Sequence, residues 1–315
     1  MSAASSSAPE LSLVIVHWRA AADLSALLAA VPEDPRWEVV VVDNGGGAPA
    51  ATSRGDVTVA RPGSNLGFAG GADLGFAVAR APLLLLLNPD VVPRPGALEA
   101  LLAGFTAWPD AAGLAPRLVG AAGEPQAGWQ LRPLPRAAEL LLHSLLFDPR
   151  WRGATAEPAA GAEVEQPAAA ALALRRAALE RVGGLDPRFH PAWFEDVDLA
   201  RRLRDAGAVL RYWPAASFVH ALGGSVAPLG FAGFLWCYHR NLDRYLRRHH
   251  GAGWALLARA LLLLAAPLRA ALVPLRRPRR ASGAGEALGA LGALALGAAT
   301  AWRRPRRLAR GEGWA

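Results

Sequence analysis

The stretch "LLLLLNPDVVP", residues 83–93, decides the fold class. Five leucines run directly into Asn88, Pro89 and Asp90, so that an apolar run ends in a turn. An uninterrupted apolar run of this length is typical of a strand covered on both faces, as in a parallel sheet lined by helices. We therefore predict a buried strand with Asp90 at its carboxyl end. Ligands bind at this edge of open α/β sheets, so Asp90 either forms the turn or meets a ligand.

Composition limits the class of protein. With 315 residues, of which 53% are hydrophobic, the chain can bury a sizeable core. Its one cysteine, Cys237, excludes an internal disulfide framework. The opening "MSAASSSAPE" has no basic region before its short apolar stretch, so we expect no signal peptide, a disordered segment over 1–10 and a cytoplasmic protein.

The net charge of +8 is carried by arginine, and its distribution argues against a nucleic-acid partner. The densest clusters, "RRHH", "RRPRR" and "WRRPRR", all lie beyond residue 246 and are interleaved with leucine and alanine. We expect no nucleic-acid binding, because the charge lies beside apolar runs instead of forming a polar surface.

Strand-like and helix-like segments alternate along the first part of the chain, which predicts a doubly wound, mostly parallel α/β sheet. The predicted strands are 11–16, 37–42, 57–60 and 83–87, with helices near 20–31, 66–80 and 95–107. Further on, we predict a strand around "AGLAPRLV". The stretch "GWQLRPLPRAAELLLHSLLFDPRWRGATAEPAAGAEVEQP" is expected to hold a helix and then a mobile loop rich in Pro, Ala and Glu. Regular structure resumes at "AAALALR" with a helix after it, and another helix covers "FEDVDLARRLRDAG" and stops at Gly207.

Two loops after predicted strands have candidate binding residues. "VVVVDNGGG" places Asp43 at the end of the second strand, where a plain turn would also favour Asp, Asn and Gly. "RPGSNLGFAGGADLGF" is a glycine-rich loop that enters a helix, but its glycines do not form the G-x-G-x-x-G pattern. The loop therefore indicates only a helix N-terminus with small side chains, which can approach a phosphate or a nucleoside.

An acid cluster opens the predicted helix "FEDVDLARRLRDAG". The helix dipole favours one acid in the first turn, but it explains three crowded acids poorly. Glu195 and Asp198 share a helix face with Arg202, whereas Asp196 shares one with leucines that point to the core. Asp196 is therefore the acid we expect at a partly buried cleft, where a carboxylate can act as a general base. Glu195 is the competing candidate.

A metal site is predicted from two residues that close apolar segments. Asp90 can hold Mg²⁺ or Mn²⁺, which proteins bind with one or two carboxylates together with substrate phosphates. His220 ends the short apolar segment "SFVH" before a glycine turn, and such a histidine is either structural or a metal ligand.

In this order and spacing, the segments resemble the family 2 inverting glycosyltransferases of GT-A fold, a group that includes bacterial rhamnosyltransferases of polysaccharide assembly. The resemblance covers about 11–250 and is carried by "VVDN", "SNLGFAGG", "LLNPDV", "GLDPRFHPAWFEDVDLARRLRDAG", "VHALGGS" and "YHRNLDRYLRRHHG". It implies a Rossmann-like donor half over about 11–120 and an acceptor half over about 121–250.

The resemblance also implies roles for individual residues. Asp43 would contact the base and ribose of a nucleotide sugar, and Asn65 and Gly67 would line the same pocket. Asp90 would be the last residue of an Asp-x-Asp-type motif that binds a metal ion on the diphosphate; Asn88 replaces the first carboxylate. Two departures, "HWR" after the first strand and "GGG" after "DN", lie near the base pocket.

Two further roles concern the metal and the acceptor. His220 would be the second protein ligand of the metal ion. Asp196 would deprotonate the acceptor hydroxyl, with Glu195 and Asp198 as supporting acids.

The expected reaction is an inverting transfer from a nucleotide-diphosphate sugar to a glycan hydroxyl in cell-surface polysaccharide synthesis. Overall similarity favours dTDP-L-rhamnose, with UDP-sugars as the alternative, and an acceptor on a polyprenyl diphosphate. Two other classes remain open. A nucleotidyltransferase would not need the acids at 195–198, and an inactive membrane-associated scaffold would not need Asp90, Asp196 and His220 together.

The last part of the chain, 251–315, is predicted to be a basic, apolar, helical tail that associates with a membrane. "GWALLARALLLLAAPLRAALVPL", residues 253–275, is long enough to span a bilayer but contains Arg259, Pro267 and Arg269. Because arginine is costly in the bilayer core, we expect this run and "ALGALGALALGAATA", residues 287–301, to lie at the interface. Their basic flanks suit anionic lipid at about 1 kcal/mol per arginine. We expect a peripheral protein on the inner face of the cytoplasmic membrane; the alternative is a hairpin packed on the catalytic domain.

Overall fold

The computed structural model describes residues 8–45, 54–146, 153–221, 230–274 and 281–303. The strands are β1 Leu11–His17, β2 Trp37–Asp43, β3 Val57–Ala60, β4 Leu83–Leu87, β5 Val91–Pro93, β6 Ala111–Val119, β7 Leu131–Arg132, β8 Gln166–Pro167, β9 Ala171–Arg175 and β10 Val209–His220. The helices are α1 Ala21–Ala30, α2 Gly67–Val78, α3 Ala97–Ala107, α4 Ala127–Gln130, α5 Ala137–Leu146, α6 Arg176–Arg181, α7 Glu195–Asp205, α8 Gly230–His249, α9 Ala252–Leu272 and α10 Ala284–Ala299.

Eight strands form one sheet in the order β3-β2-β1-β4-β9-β6-β10-β5. Strands β3, β2, β1 and β4 are mutually parallel, and β6 is parallel to β10. Strand β9 runs antiparallel between β4 and β6, and β5 pairs antiparallel with the end of β10. The predicted mostly parallel sheet is confirmed, and β7 and β8 form a separate two-stranded sheet.

The leucine run lies in the middle of this sheet as β4, and both of its faces are covered. Leu85 and Leu87 belong to the core that also contains Leu24 and Leu101 of α1 and α3. Leu84 and Leu86 alternate with them and are fully buried as well. Because successive side chains point to opposite faces, only a strand buried on both sides can use leucine at every position.

Helix α2 covers the other face of β1, and its glycines serve this contact. A Cβ atom at Gly71 would lie 2.8 Å from Cγ1 of Val16, and one at Gly75 would clash with Val14. The spacing of these two glycines therefore lets the helix approach the sheet closely. Gly67 has a different role, since it opens α2 with a φ of +73°, which side chains other than glycine rarely adopt.

The segment predicted as a mobile loop is attached to the sheet domain over its described part, residues 153–167. Backbone N–H groups of Ala154, Gly161 and Val164 donate to carbonyls of Leu131, Tyr212 and Leu210. The segment lacks a hydrophobic period, which is why the sequence predicted a loop. The backbone hydrogen bonds attach it to neighbouring strands although it forms little regular helix or strand itself. Its mobility stays a prediction, and residues 147–152 lie outside the described ranges.

The chain divides into two compact units. One comprises Met1–Leu134, Arg152–Arg188 and Glu195–Ser225, and contains the sheet and α7. The other comprises Pro135–Trp151, Phe189–Phe194 and Val226–Ala315, so it includes residues on both sides of the predicted boundary at 250. Its helices α8, α9 and α10 share a core that includes Trp236, Leu262 and Leu294. Of the described helices, α9 is long and apolar enough to cross a membrane.

Candidate active site

Asp90 lies where the sequence predicted it, at the carboxyl edge of the sheet just after β4. The N–H of Val91 donates to the carbonyl of Asn88 and closes the turn. The N–H of Ala221, directly after β10, donates to the carbonyl of Asp90. This bond joins the ends of two strands, and only 2% of the Asp90 side chain is exposed.

His220 faces Asp90, with 3.8 Å between His220 Nε2 and Asp90 Oδ2. The other ring nitrogen, Nδ1, lies 2.9 Å from Oε1 of Gln126, whose amide nitrogen donates to the His220 carbonyl. Because Oε1 can only accept, Nδ1 holds the proton and Nε2 presents its lone pair toward Asp90. Burial lowers the pKa of His220, against the opposing charge of Asp90, so the neutral ring is favoured.

This pair fits a divalent cation. A neutral imidazole nitrogen and a carboxylate are suitable ligands for Mn²⁺ or Mg²⁺, and the bond from Nδ1 to Gln126 is the kind of outer contact that orients a ligating histidine. Within the described ranges, no group of three or more His, Cys, Asp or Glu side chains could share a metal ion. The pair would leave most coordination positions to phosphate and water, as is usual for Mg²⁺.

Asp43 ends β2 at the same edge, opposite His17 of β1 in the parallel register. His17 Nδ1 lies 3.7 Å from one carboxylate oxygen, and Arg61 Nε lies 3.9 Å from the other. Nε2 of His17 accepts the N–H of Ala20, which leaves the ring proton on Nδ1 toward Asp43. Burial lowers the pKa of His17 against the effect of Asp43. The histidine that departs from the family pattern therefore lies beside the predicted base-binding carboxylate.

The glycine-rich loop lies beside Asp43 because Asn44 holds it there. Oδ1 of the buried Asn44 accepts the N–H of Leu66 at 2.8 Å, and Nδ2 donates to the Gly67 carbonyl at 2.9 Å. Asn65 turns its own Oδ1 to the N–H of Gly67. The structure thus brings Asn65 and Gly67 next to the end of β2, as the predicted nucleotide pocket requires.

The three acids of α7 have three different environments. Asp198 is fully buried and forms an ion pair with Arg202 at 2.8 Å, which is a structural role. Asp196 is half-buried. Glu195 was predicted on the face of Arg202, but it is buried, and its Oε2 has no hydrogen-bond partner among the described residues. Burial raises the pKa of Glu195 well above the ordinary value, and the charge of Asp196 adds to the shift.

Asp196 is connected by short contacts to the edge of the sheet where Asp90 lies. Its Oδ2 accepts from the Gln166 amide at 3.2 Å and from the N–H of Ala169 at 3.4 Å. The next residue, Ala170, accepts the N–H of Asn88 at 2.8 Å, two residues before Asp90. Burial raises the pKa of Asp196, while backbone N–H groups of Val197 and Ala169 oppose the shift.

The structure therefore brings the predicted residues to one edge of the sheet, and it adds three that sequence reasoning missed. Gln126 orients His220, Gln166 binds Asp196, and Asn44 fixes the loop. Asn44 adjoins Asp43 in the "VVDN" segment, which was a usable signal. Gln126 directly precedes the short helix α4 and Gln166 begins the short strand β8, and nothing in the sequence singles them out.

The chain is similar to known glycosyltransferases. The model of glycosyl transferase family 2 matches residues 12–148. The chain is 35% identical over 211 residues to the pre-mycofactocin glycosyltransferase of Mycobacterium tuberculosis, covering 61% of this chain and 42% of that protein. It is 32% identical over 214 residues to the N-acetylglucosaminyl-diphospho-decaprenol L-rhamnosyltransferase of the same organism, covering 62% of this chain and 66% of that protein.

A third M. tuberculosis relative, an uncharacterized protein, is 30% identical over 233 residues, 68% of this chain and 76% of its own length. Among solved structures, the mannosyltransferase PcManGT of Pyrobaculum calidifontis, in complex with GDP-Man and Mn²⁺, has a TM-score of 0.52 at 17% identity and covers 96% of this chain and 83% of that one. S. aureus TarS 1–349 with UDP-GlcNAc has a TM-score of 0.52 at 13% identity, covering 95% and 82%.

These structural likenesses confirm the GT-A-type fold with its helical C-terminal region. The family model spans the strands that end at Asp43 and Asp90, and the sequence relatives extend the match beyond it. The chain belongs to glycosyl transferase family 2.

Proposed function

We propose that the protein is an inverting glycosyltransferase that uses a nucleotide-diphosphate sugar, with dTDP-L-rhamnose as the favoured donor and a UDP-sugar as the alternative. The acceptor is a hydroxyl of a glycan on a polyprenyl diphosphate, in cell-surface polysaccharide synthesis. Support for the donor and acceptor comes from the relative named as an L-rhamnosyltransferase of a diphospho-decaprenol acceptor.

The observation that carries the proposal is the oriented pair of Asp90 and His220 at the carboxyl edge of the sheet. These two residues would hold Mg²⁺ or Mn²⁺. When bound, the cation offsets the negative charge that develops on the departing nucleotide diphosphate. The pair is separate from Asp196, so donor binding and acceptor activation use different residues.

The other residues act on the donor and on the acceptor. Asp43 binds the base and ribose, and Asn65 and Gly67 line the nucleotide pocket. Asp196 takes the proton from the acceptor hydroxyl, and the oxygen attacks the anomeric carbon on the face opposite the diphosphate. The carbon–oxygen bond to the diphosphate breaks as the new glycosidic bond forms, and one displacement inverts the anomeric configuration. Glu195 and Asp198 support the helix that presents Asp196.

A thermal-shift screen with Mn²⁺ and dTDP-, UDP- and GDP-sugars tests the donor. We expect dTDP-L-rhamnose to raise the unfolding temperature most, because a ligand that binds only the folded state stabilises it. A larger shift with a UDP-sugar would select the alternative. An inactive scaffold predicts no shift with any of the sugars, and a nucleotidyltransferase predicts shifts with nucleoside triphosphates instead.

The lipid-linked acceptor implies where the enzyme works. We propose that it is a peripheral protein on the inner face of the cytoplasmic membrane, where the nucleotide sugar and the polyprenyl carrier are both accessible. The apolar helices α9 and α10 of the second unit are the segments that support this location.

Replacing Gln166 with methionine is expected to move the acid limb of the kcat/KM pH profile up by about one unit. The Gln166 amide donates to Asp196 and stabilises its ionised form, so losing this bond raises the pKa of the base and activity falls at a higher pH. Gln130→Met is the matched control, because Gln130 is equally buried but binds backbone groups of Pro116 and Leu118. Equal profiles for the two variants would remove Gln166 from the mechanism.

A further inference from the structure

Helix α9 has an outer face without polar side chains. Across Ala252–Leu272, all of which the structure describes, every exposed position is Ala, Gly, Pro, Leu or Trp. Leu264 is 74% exposed, Leu268 64% and Leu256 57%. A helix on the surface of a water-soluble protein normally shows the opposite pattern, with its apolar stripe toward the core and charges toward solvent.

The first arginine of α9 is turned into the protein. Arg259 has only 11% of its side chain exposed, and its Nε lies 3.2 Å from Oδ1 of Asp243 on α8. The other carboxylate oxygen of Asp243 accepts from Arg247 at 2.8 Å. Arg259 is thus paired with Asp243 inside the helical unit, and its charge is absent from the outer face.

The second arginine of α9 is turned inward as well. Arg269 donates to the carbonyls of Ser144 and Leu145 at the end of α5, where a helix presents carbonyls without partners in its own ladder. Burial lowers the pKa of Arg269 to about 10, so it remains protonated at neutral pH. Both arginines that interrupt the apolar run in the sequence therefore lie on the inner side of the helix.

The opposite side of α9 is packed within the same unit. Ala255, Ala258, Leu262 and Ala265 are buried at helical spacing. One side of the helix therefore already contacts protein, so this arrangement leaves one outer face for another partner. Over 21 residues this face extends about 30 Å along the helix.

The residues that flank α9 in the sequence indicate what covers its outer face. Arg247 and Arg248 end α8 immediately before α9, and "RRPRR" follows at 276–280. Arginines that flank an apolar helix on both sides in the sequence match the anionic headgroups and acyl boundary of a cytoplasmic leaflet, whereas a contact between two copies would bring like charges together.

We propose that the outer face of α9, defined by Trp254, Leu257, Leu264 and Leu268, inserts in the plane of an anionic phospholipid bilayer. Only the choice of the cytoplasmic side of the membrane rests on the proposed function. The residues that meet lipid are inferred from the exposed face of α9. Because Arg259 and Arg269 are held inside the protein, insertion of this face moves no charge into the acyl region.

Flotation of the full-length chain with phosphatidylcholine vesicles, with and without phosphatidylglycerol, tests the proposal. We expect the protein to float with the anionic vesicles and high salt to release it only in part. In Leu264→Glu/Leu268→Glu the floating fraction should fall at least about tenfold, since two exposed leucines are replaced by charges that resist insertion. Circular dichroism should show an unchanged fold, because both positions are largely exposed.

The matched control is Ala103→Glu/Ala107→Glu, which adds the same charges at the same spacing on exposed positions of α3 in the sheet unit. It should float like the parent protein. The proposal is overturned if the parent stays in the aqueous fraction with both vesicle types, if the α9 variant floats like the parent, or if that variant only loses self-association in light scattering. Flotation uses neither donor nor acceptor, so its result is independent of the proposed reaction.

Discussion

Asp196→Asn is expected to lower turnover by about two to four orders of magnitude while leaving the affinity for the donor sugar nearly unchanged. The amide has the size of the carboxylate, and its oxygen can still accept from Gln166 and from the N–H of Ala169. What it cannot do is take the proton of the acceptor hydroxyl. Turnover measured at saturating donor, together with calorimetric titration of the donor, separates the two effects.

Glu195→Gln is the matched control for this prediction, because it makes the same change at the neighbouring acid. Burial favours the protonated form of Glu195, so an amide is a close substitute and turnover should stay within about tenfold of the parent. If Glu195→Gln abolished turnover while Asp196→Asn stayed active, Glu195 would be the base.

The half of the sheet that holds β1 to β4 was predictable because its signals are local. Burial on both faces leaves an uninterrupted apolar run, and the predicted bounds 57–60 and 83–87 agree with β3 and β4. The direction of β9 was not predictable. Its sequence "ALALR" would serve in a parallel or an antiparallel strand, and only pairing with β4 and β6 fixes its direction. Such pairing depends on residues far apart in the chain.

The site was predictable where it depends on strand ends and not where it depends on tertiary contacts. Asp43, Asp90 and His220 each close an apolar segment, which places them at an edge. Gln126 is 94 residues from His220 in sequence, and its role exists only through their contact. The burial of Glu195 was missed because helical spacing assigns faces but does not show which faces the rest of the chain covers.

In the C-terminal region, too, the sequence does not show which distant residues contact each other. The sequence correctly predicts apolar helices, but in the sequence Arg259 and Arg269 count only as interruptions of the apolar run. Asp243 on α8 and the carbonyls at the end of α5 draw them inward instead. A charge within an apolar run is therefore evidence against membrane contact only when no partner lies on the inner side of the helix.

Asp90→Ala is expected to weaken donor binding about a hundredfold in the presence of Mg²⁺ or Mn²⁺, and His220→Ala to act in the same direction. Asp90 and His220 would be the two protein ligands of a divalent cation that supplies counter-charge to the diphosphate, so losing either ligand would weaken the hold on the donor. Glu38→Gln is the matched control, because Glu38 is also a buried carboxylate at the sheet but binds Ser12 and Arg80 near the amino ends of the strands. It should lower stability and leave the metal dependence of donor binding intact. Calorimetry with and without EDTA measures both effects. Unchanged donor affinity in Asp90→Ala, or full activity of the parent in excess EDTA, would show that Asp90 and His220 bind no metal that the reaction needs.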